Sequence, residues 1–137
     1  MNLKPLSRDL SVTPQIQPAE VADLSARGFK SIIGNRPEGE GPDQPLWSLL
    51  VEEAERHGIS ARQIPVVPGQ IGPDDIECFA DAVRDLPKPI AAFCRTGTRS
   101  ATLWALANPD GLSVDERIAA ADAQGYDLAA LRPRMAP

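Results

Sequence analysis

Histidine is nearly missing from this chain, which has one, and cysteine is scarce at two. His57, Cys78 and Cys94 are too far apart in sequence to read as a metal-ligand cluster, so no metal and no other cofactor is expected. Two cysteines without regular spacing exclude a disulfide scaffold and point to reduced thiols, hence to a cytoplasmic protein. No apolar run approaches the roughly eighteen residues of a membrane helix. The first residues, Met1 to Val12, have no apolar central segment, so neither a signal peptide nor a membrane partner is expected. Repeats and low-complexity tracts are absent. Positive charge is also in deficit: 14 Lys and Arg against 19 Asp and Glu leave −5, which argues against nucleic acid as a partner.

What is present is the composition of a single globular domain over residues 1–137, with 42% apolar and 24% charged residues. Residues 1–6 and 133–137 read as loose ends. The chain centres on Pro89 to Ser100. Ile90 to Phe93 is a short apolar run of the length of a fully buried strand. Cys94 then opens a polar loop, and Ser100 to Leu106 reads as the start of a helix running to about Asn108. A strand, tight loop and helix focus backbone N–H groups and the positive end of a helix dipole on one point. A cysteine there is favoured as the reactive thiolate. Arg95 and Arg99 add fixed positive charge, and Gly97 lets the backbone approach a bound anion. Thr96, Thr98 and Ser100 supply hydroxyls for the same anion.

Four residues separate Cys94 from Arg99. Protein tyrosine phosphatases and their dual-specificity relatives place one more there. The loop is similar instead to that of single-domain rhodaneses, and a narrower cradle suits a persulfide better than a tetrahedral phosphoryl group.

Elsewhere, Asp9 to Thr13 and Phe29 to Gly34 read as strands, with a short helix from Pro18 to Gly28 between them. A further strand is expected within Ile59 to Val67, centred on Gln63 to Val67. Pro45 to His57 forms a helix stopped by Gly58, with His57 in its last turn rather than acting as a base. A helix opens at Asp74 and Asp75, with Ile76, Phe79, Ala80 and Val83 as its core stripe. These two aspartates suit a first helical turn for dipole reasons; their functional reading is a general acid. Cys78 on the same helix reads as structural rather than as a resolving thiol. Arg36, in turn chemistry directly after a strand, is either a third cation beside the cysteine loop or a solvated loop residue. Ser113 to Glu116 is a capping box for a helix through Gln124, with Val114, Ile118 and Ala121 inward. Alternating short strands and helices predict an α/β fold, a parallel four- to five-stranded sheet with helices on both faces. Right-handed crossovers put the loops at Asn35–Arg36, Gly69–Asp75 and Cys94–Arg99 on one edge.

Four stretches carry a resemblance that spans nearly the whole chain: Ser11 to Ile16, Gly34 to Glu40, Cys94 to Ser100 and Gly125 to Leu128. In that order they resemble the phosphatase-like domain of bacterial beta-lactamase hydrolase-like proteins. The resemblance implies a dual-specificity-phosphatase-like fold carrying a rhodanese-like loop, with Cys94 as nucleophile, Arg99 as anion-binding arginine and Asn35–Arg36 at the pocket rim. It also implies association with sulfide-oxidising proteins, since the family's domain stands alone or is joined to such modules. Phosphatases of this fold take an aspartate from the loop that here reads Val67 to Gly72, which has no carboxylate before Asp74. Alkoxide leaving groups need a proton, whereas sulfite and thiolates leave readily. The sequence therefore favours a sulfurtransferase taking sulfur from a small anionic donor to a thiol acceptor or cyanide through a Cys94 persulfide. A cysteine-dependent phosphatase is the second reading, and a non-catalytic anion-binding domain the third.

Overall fold

The computed structural model describes residues 1–136; Pro137 lies outside them. Ile90–Phe93 (β5) is buried along its whole length, which is what its unbroken apolar run dictates for a central parallel strand. It lies between Leu10–Thr13 (β2) and Ser31–Gly34 (β3), parallel to both, with Ala91 opposite Ser11 and Ile32. Ser60–Gln63 (β4) adds a half-buried outer strand parallel to β3. With Lys4–Pro5 as β1, the sheet order is β1-β2-β5-β3-β4.

The first strand corrects two expectations. Lys4–Pro5 (β1) pairs antiparallel with β2, so the sheet is mostly rather than wholly parallel, and residues 1–6 are not loose. Leu6 is buried in the core behind it. At the other end Met135 is buried as well. The fourth strand also ends earlier than the run of apolar residues suggests. Ile64 and Val66 still donate N–H groups to the carbonyls of Gly34 and Asn35, at 2.8 and 3.1 Å, but Pro65 between them has none to give.

Alternate side chains of β3 and β5 enter two apolar clusters, one on each face of the sheet. Val12, Ile33, Ile90 and Ala92 face one, packed by helices Pro73–Asp85 (α3), Thr98–Ala107 (α4) and Val114–Ala123 (α5). Ile32, Ala91 and Phe93 face the other, packed by Val21–Ala26 (α1) and Trp47–Arg56 (α2). Helices thus cover both faces, as the alternation predicts. On α3, Phe79 and Val83 are buried, Ile76 packs against their cluster and Cys78 is exposed, as is His57 at the end of α2. The capping box of α5 is formed, Ser113 Oγ accepting the Glu116 N–H at 3.1 Å. No helix among the described residues is long and apolar enough to cross a membrane.

Candidate active site

α4 begins at Thr98, two residues before the sequence suggests, because Gly97 takes a left-handed conformation (φ +92°) that turns the chain straight into the helix. Only Cys94 to Gly97 separate β5 from α4. Residues 99–105 are all buried, so the helix that carries Arg99 and Ser100 is held on every side. Cys94 is 1% exposed, and its Sγ accepts the Gly97 N–H at 3.0 Å at the positive end of α4.

Tyr126 fixes the outside of this loop. Its hydroxyl donates to the Thr96 carbonyl at 3.0 Å. Burial, and after it the charge of Cys94, pushes the phenol pKa up and keeps it a donor. A Cβ added at Gly97 would overlap the Tyr126 Oη. The glycine is therefore required both by its dihedral angle and by this close approach. Lys4 lies over the Tyr126 ring, 4.6 Å from its centroid, so β1 reaches the site through the tyrosine.

Arg99 does not stand open. Nη1 and Nη2 donate to the two Glu40 carboxylate oxygens at 2.7 and 2.6 Å, and Nη1 also donates to the Val66 carbonyl at 3.0 Å. This is the two-pronged pairing that a guanidinium fork makes with a carboxylate or phosphate. Arg99 has its pKa raised chiefly by Glu40, with Cys94 contributing after burial has opposed it. Glu40 in turn is held below the usual carboxylate range, first by its hydrogen bond to Arg99 and, against burial, also by Arg36. Glu40 gave no signal of its own in the sequence beyond membership of a turn.

Arg36 is neither free in solvent nor against the cysteine loop. It is 8% exposed and donates to Glu40 at 3.1 Å and to the Gln15 amide oxygen at 3.1 Å, reaching Arg99 only through Glu40. Asn35 is fully buried rather than at a rim. Its amide donates to the Ile64 carbonyl at 2.9 Å and its oxygen accepts from Ser100 Oγ at 2.8 Å. Ser100 thus braces the loops after β3 and β5 instead of offering its hydroxyl to an anion.

A cavity of about 570 Å³ opens beside the loop. Arg95, Thr96, Thr98 and Arg99 line it from the cysteine loop and α4, and Glu40 closes one side. Pro68, Ile71, Leu131 and Arg134 complete its walls, the last two from a region the sequence left unassigned to any site. Asp74 and Asp75 are not among its lining residues. Asp74 is exposed, and Asp75 accepts the Gly72 N–H at 2.9 Å as the cap of its own helix. Asp75 thus takes the capping role of a first-turn carboxylate, and neither aspartate lines the cavity where a general acid would be needed.

Residues 2–111 match the family described as beta-lactamase hydrolase-like protein, phosphatase-like domain. The chain belongs to this family. Two beta-lactamase hydrolase-like proteins, from Agrobacterium fabrum and Xylella fastidiosa, are 35% and 32% identical to it over 91% and 93% of its length. The match takes up 30% of each, so the chain spans less than a third of the curated relatives. A solved Neisseria meningitidis structure described as a candidate phosphatase superposes with a TM-score of 0.86 at 33% identity, covering 98% of this chain and 96% of that one. The core catalytic domain of the PP-IP phosphatase Siw14 from S. cerevisiae superposes with a TM-score of 0.72 at 18% identity, over 96% of this chain and 81% of that one. The latter shows a shared fold. This beta-lactamase hydrolase-like phosphatase-like domain thus has the dual-specificity-phosphatase-like architecture expected. Of the two enzyme readings, the phosphatase is the better founded, and the sulfur transfer inferred from loop length finds no support in these relatives.

Proposed function

We propose that the protein is a cysteine-dependent phosphatase acting on phosphate monoesters, with Cys94 as nucleophile and Arg99 as the anion-binding arginine. The supporting observation is a cysteine sulfur at the start of a buried helix, hydrogen-bonded by the Gly97 N–H, with an arginine fork beside it already occupied by a carboxylate. The Cys94 thiolate attacks phosphorus, the bond from phosphorus to the ester oxygen breaks, and the leaving oxygen takes its proton from water. Water then attacks the phosphocysteine, regenerating the thiolate and releasing inorganic phosphate. Arg99 and the loop N–H groups balance the charge on the phosphoryl oxygens in both steps.

Glu40 sets the entry condition. Cys94 is buried and Arg99 is paired, so the phosphoryl group takes the arginine fork by displacing Glu40. Glu40 is the one carboxylate lining the cavity among the described residues, and because the arginines keep it ionised it supplies no proton, so esters with good leaving groups should turn over fastest. Turnover of an aryl phosphate by wild type and by Cys94→Ser, beside a thiosulfate-to-cyanide sulfur transfer assay, tests the reading. It predicts cysteine-dependent phosphate release. Thiocyanate production without phosphate release would replace it with sulfur transfer, the reading that the four-residue spacing favours.

A further inference from the structure

Arginines in this acidic chain are mostly spoken for. Arg27, Arg36, Arg56, Arg84, Arg99 and Arg132 each lie within ion-pair distance of a carboxylate. Arg117 is buried and bonded to backbone carbonyls. Arg8, Arg62, Arg95 and Arg134 pair with no carboxylate among the described residues, and of these four Arg95 and Arg134 line the cavity beside the cysteine loop. Arg134 is held in place by the Ile71 carbonyl, to which its Nη2 donates at 2.8 Å, its one hydrogen bond among the described residues. It comes from the 3-10 turn Ala129–Arg134, beyond the residues 2–111 that match the family model. Between the cations, Pro68, Ile71 and Leu131 give apolar surface.

We infer that Arg95 and Arg134 form a second anion subsite, so that the substrate is a small organic bisphosphate with one phosphoryl group at Cys94 and the other between these arginines. The inference rests on the phosphatase reading for the first group and on the two unpaired cations for the second. The apolar wall suits the carbon scaffold that joins them. The volume suits a small molecule, since such sites run to roughly 300–1,000 Å³. Against a net charge of −5, two arginines without carboxylate partners in one cavity make a local cationic feature.

The test compares kcat/KM for hexanediol bisphosphate and hexyl phosphate. Wild type is expected to favour the bisphosphate by about tenfold to a hundredfold, the scale of one or two charge-assisted hydrogen bonds. Arg134→Gln should bring that ratio close to one, and Arg134→Lys should restore part of it. Hydrolysis of both compounds with a wild-type ratio near one, or a ratio unmoved by Arg134→Gln, overturns the subsite and leaves the phosphatase standing. If neither compound is hydrolysed, the phosphatase reading falls, and calorimetric binding to Cys94→Ser decides the subsite. Tighter binding of the bisphosphate, abolished by adding Arg134→Gln, sustains it; equal binding overturns it. An acidic phosphopeptide turned over faster than the bisphosphate, in an Arg134-dependent way, would overturn the small-molecule assignment.

Discussion

Replacing Glu40 with glutamine should make the protein less stable and yet better at binding phosphate. Glu40 gives both oxygens to Arg99 at 2.6 and 2.7 Å and one to Arg36 at 3.1 Å. Removing one partner of a fully buried pair costs about 3–5 kcal/mol, while exposed pairs are worth about 0.2–1. Arg99 is 9% exposed in its side chain and Glu40 25%, and glutamine retains one acceptor oxygen, so a loss of about 1–2 kcal/mol is expected. The same change leaves the Arg99 fork without its resident anion. Inorganic phosphate no longer has to displace a carboxylate and should bind roughly tenfold more tightly, equivalent to about 1.4 kcal/mol. Urea unfolding followed by tryptophan fluorescence reads the first effect and titration calorimetry with phosphate the second.

The pH dependence has a definite sign. Arg99 and Arg36 lower the folded-state pKa of Glu40, so its contribution is present in full above the unfolded glutamate range, near pH 4.3, and fades as pH falls below it. Glu40→Gln should lose that part of the acid sensitivity. Phosphate binding that weakens in Glu40→Gln would refute the competition argument, because it would mean that Glu40 holds Arg99 in its anion-binding pose.

Three further outcomes follow from the geometry. Gly97→Ala meets both a left-handed backbone and the Tyr126 hydroxyl, so kcat/KM should fall more than about tenfold with the overall circular dichroism retained. Arg117→Met removes a buried guanidinium that donates to the Ala105 carbonyl at 2.8 Å and to those of Ser113 and Ala136; urea unfolding should show a loss of about 2–3 kcal/mol. Asp74→Asn should leave phosphate ester turnover within about twofold, since a general acid contributes about a hundredfold or more and Asp74 is exposed outside the cavity.

The cysteine loop was legible in the sequence because its signals are local. An apolar run fixes β5, Gly97 marks the turn, and the arginines and threonines crowd into the same few residues. The capping box of α5 was legible for the same reason. Glu40 was not. It lies 59 residues from Arg99, in a turn between two glycines, and neither periodicity nor capping chemistry marks a loop carboxylate that crosses the site. Arg134 was hidden similarly, since it reaches the cavity from a 3-10 turn with no apolar period. The two residues of β1 are too few to show alternation. Asp74 and Asp75 left two roles open because one residue type serves both helix capping and acid catalysis, and the bond from the Gly72 N–H to Asp75 is visible only in the structure.

The most direct test of the central claim is the intact mass of reduced protein, acid-quenched during turnover of an aryl phosphate, beside Cys94→Ser. The account predicts a gain of about 80 Da, one phosphoryl group, confined to the wild type and localised by peptide mapping to Cys94. A wild type that gains no phosphoryl group but takes up about 32 Da from thiosulfate, lost in Cys94→Ser, would contradict it and make Cys94 a carrier of sulfur.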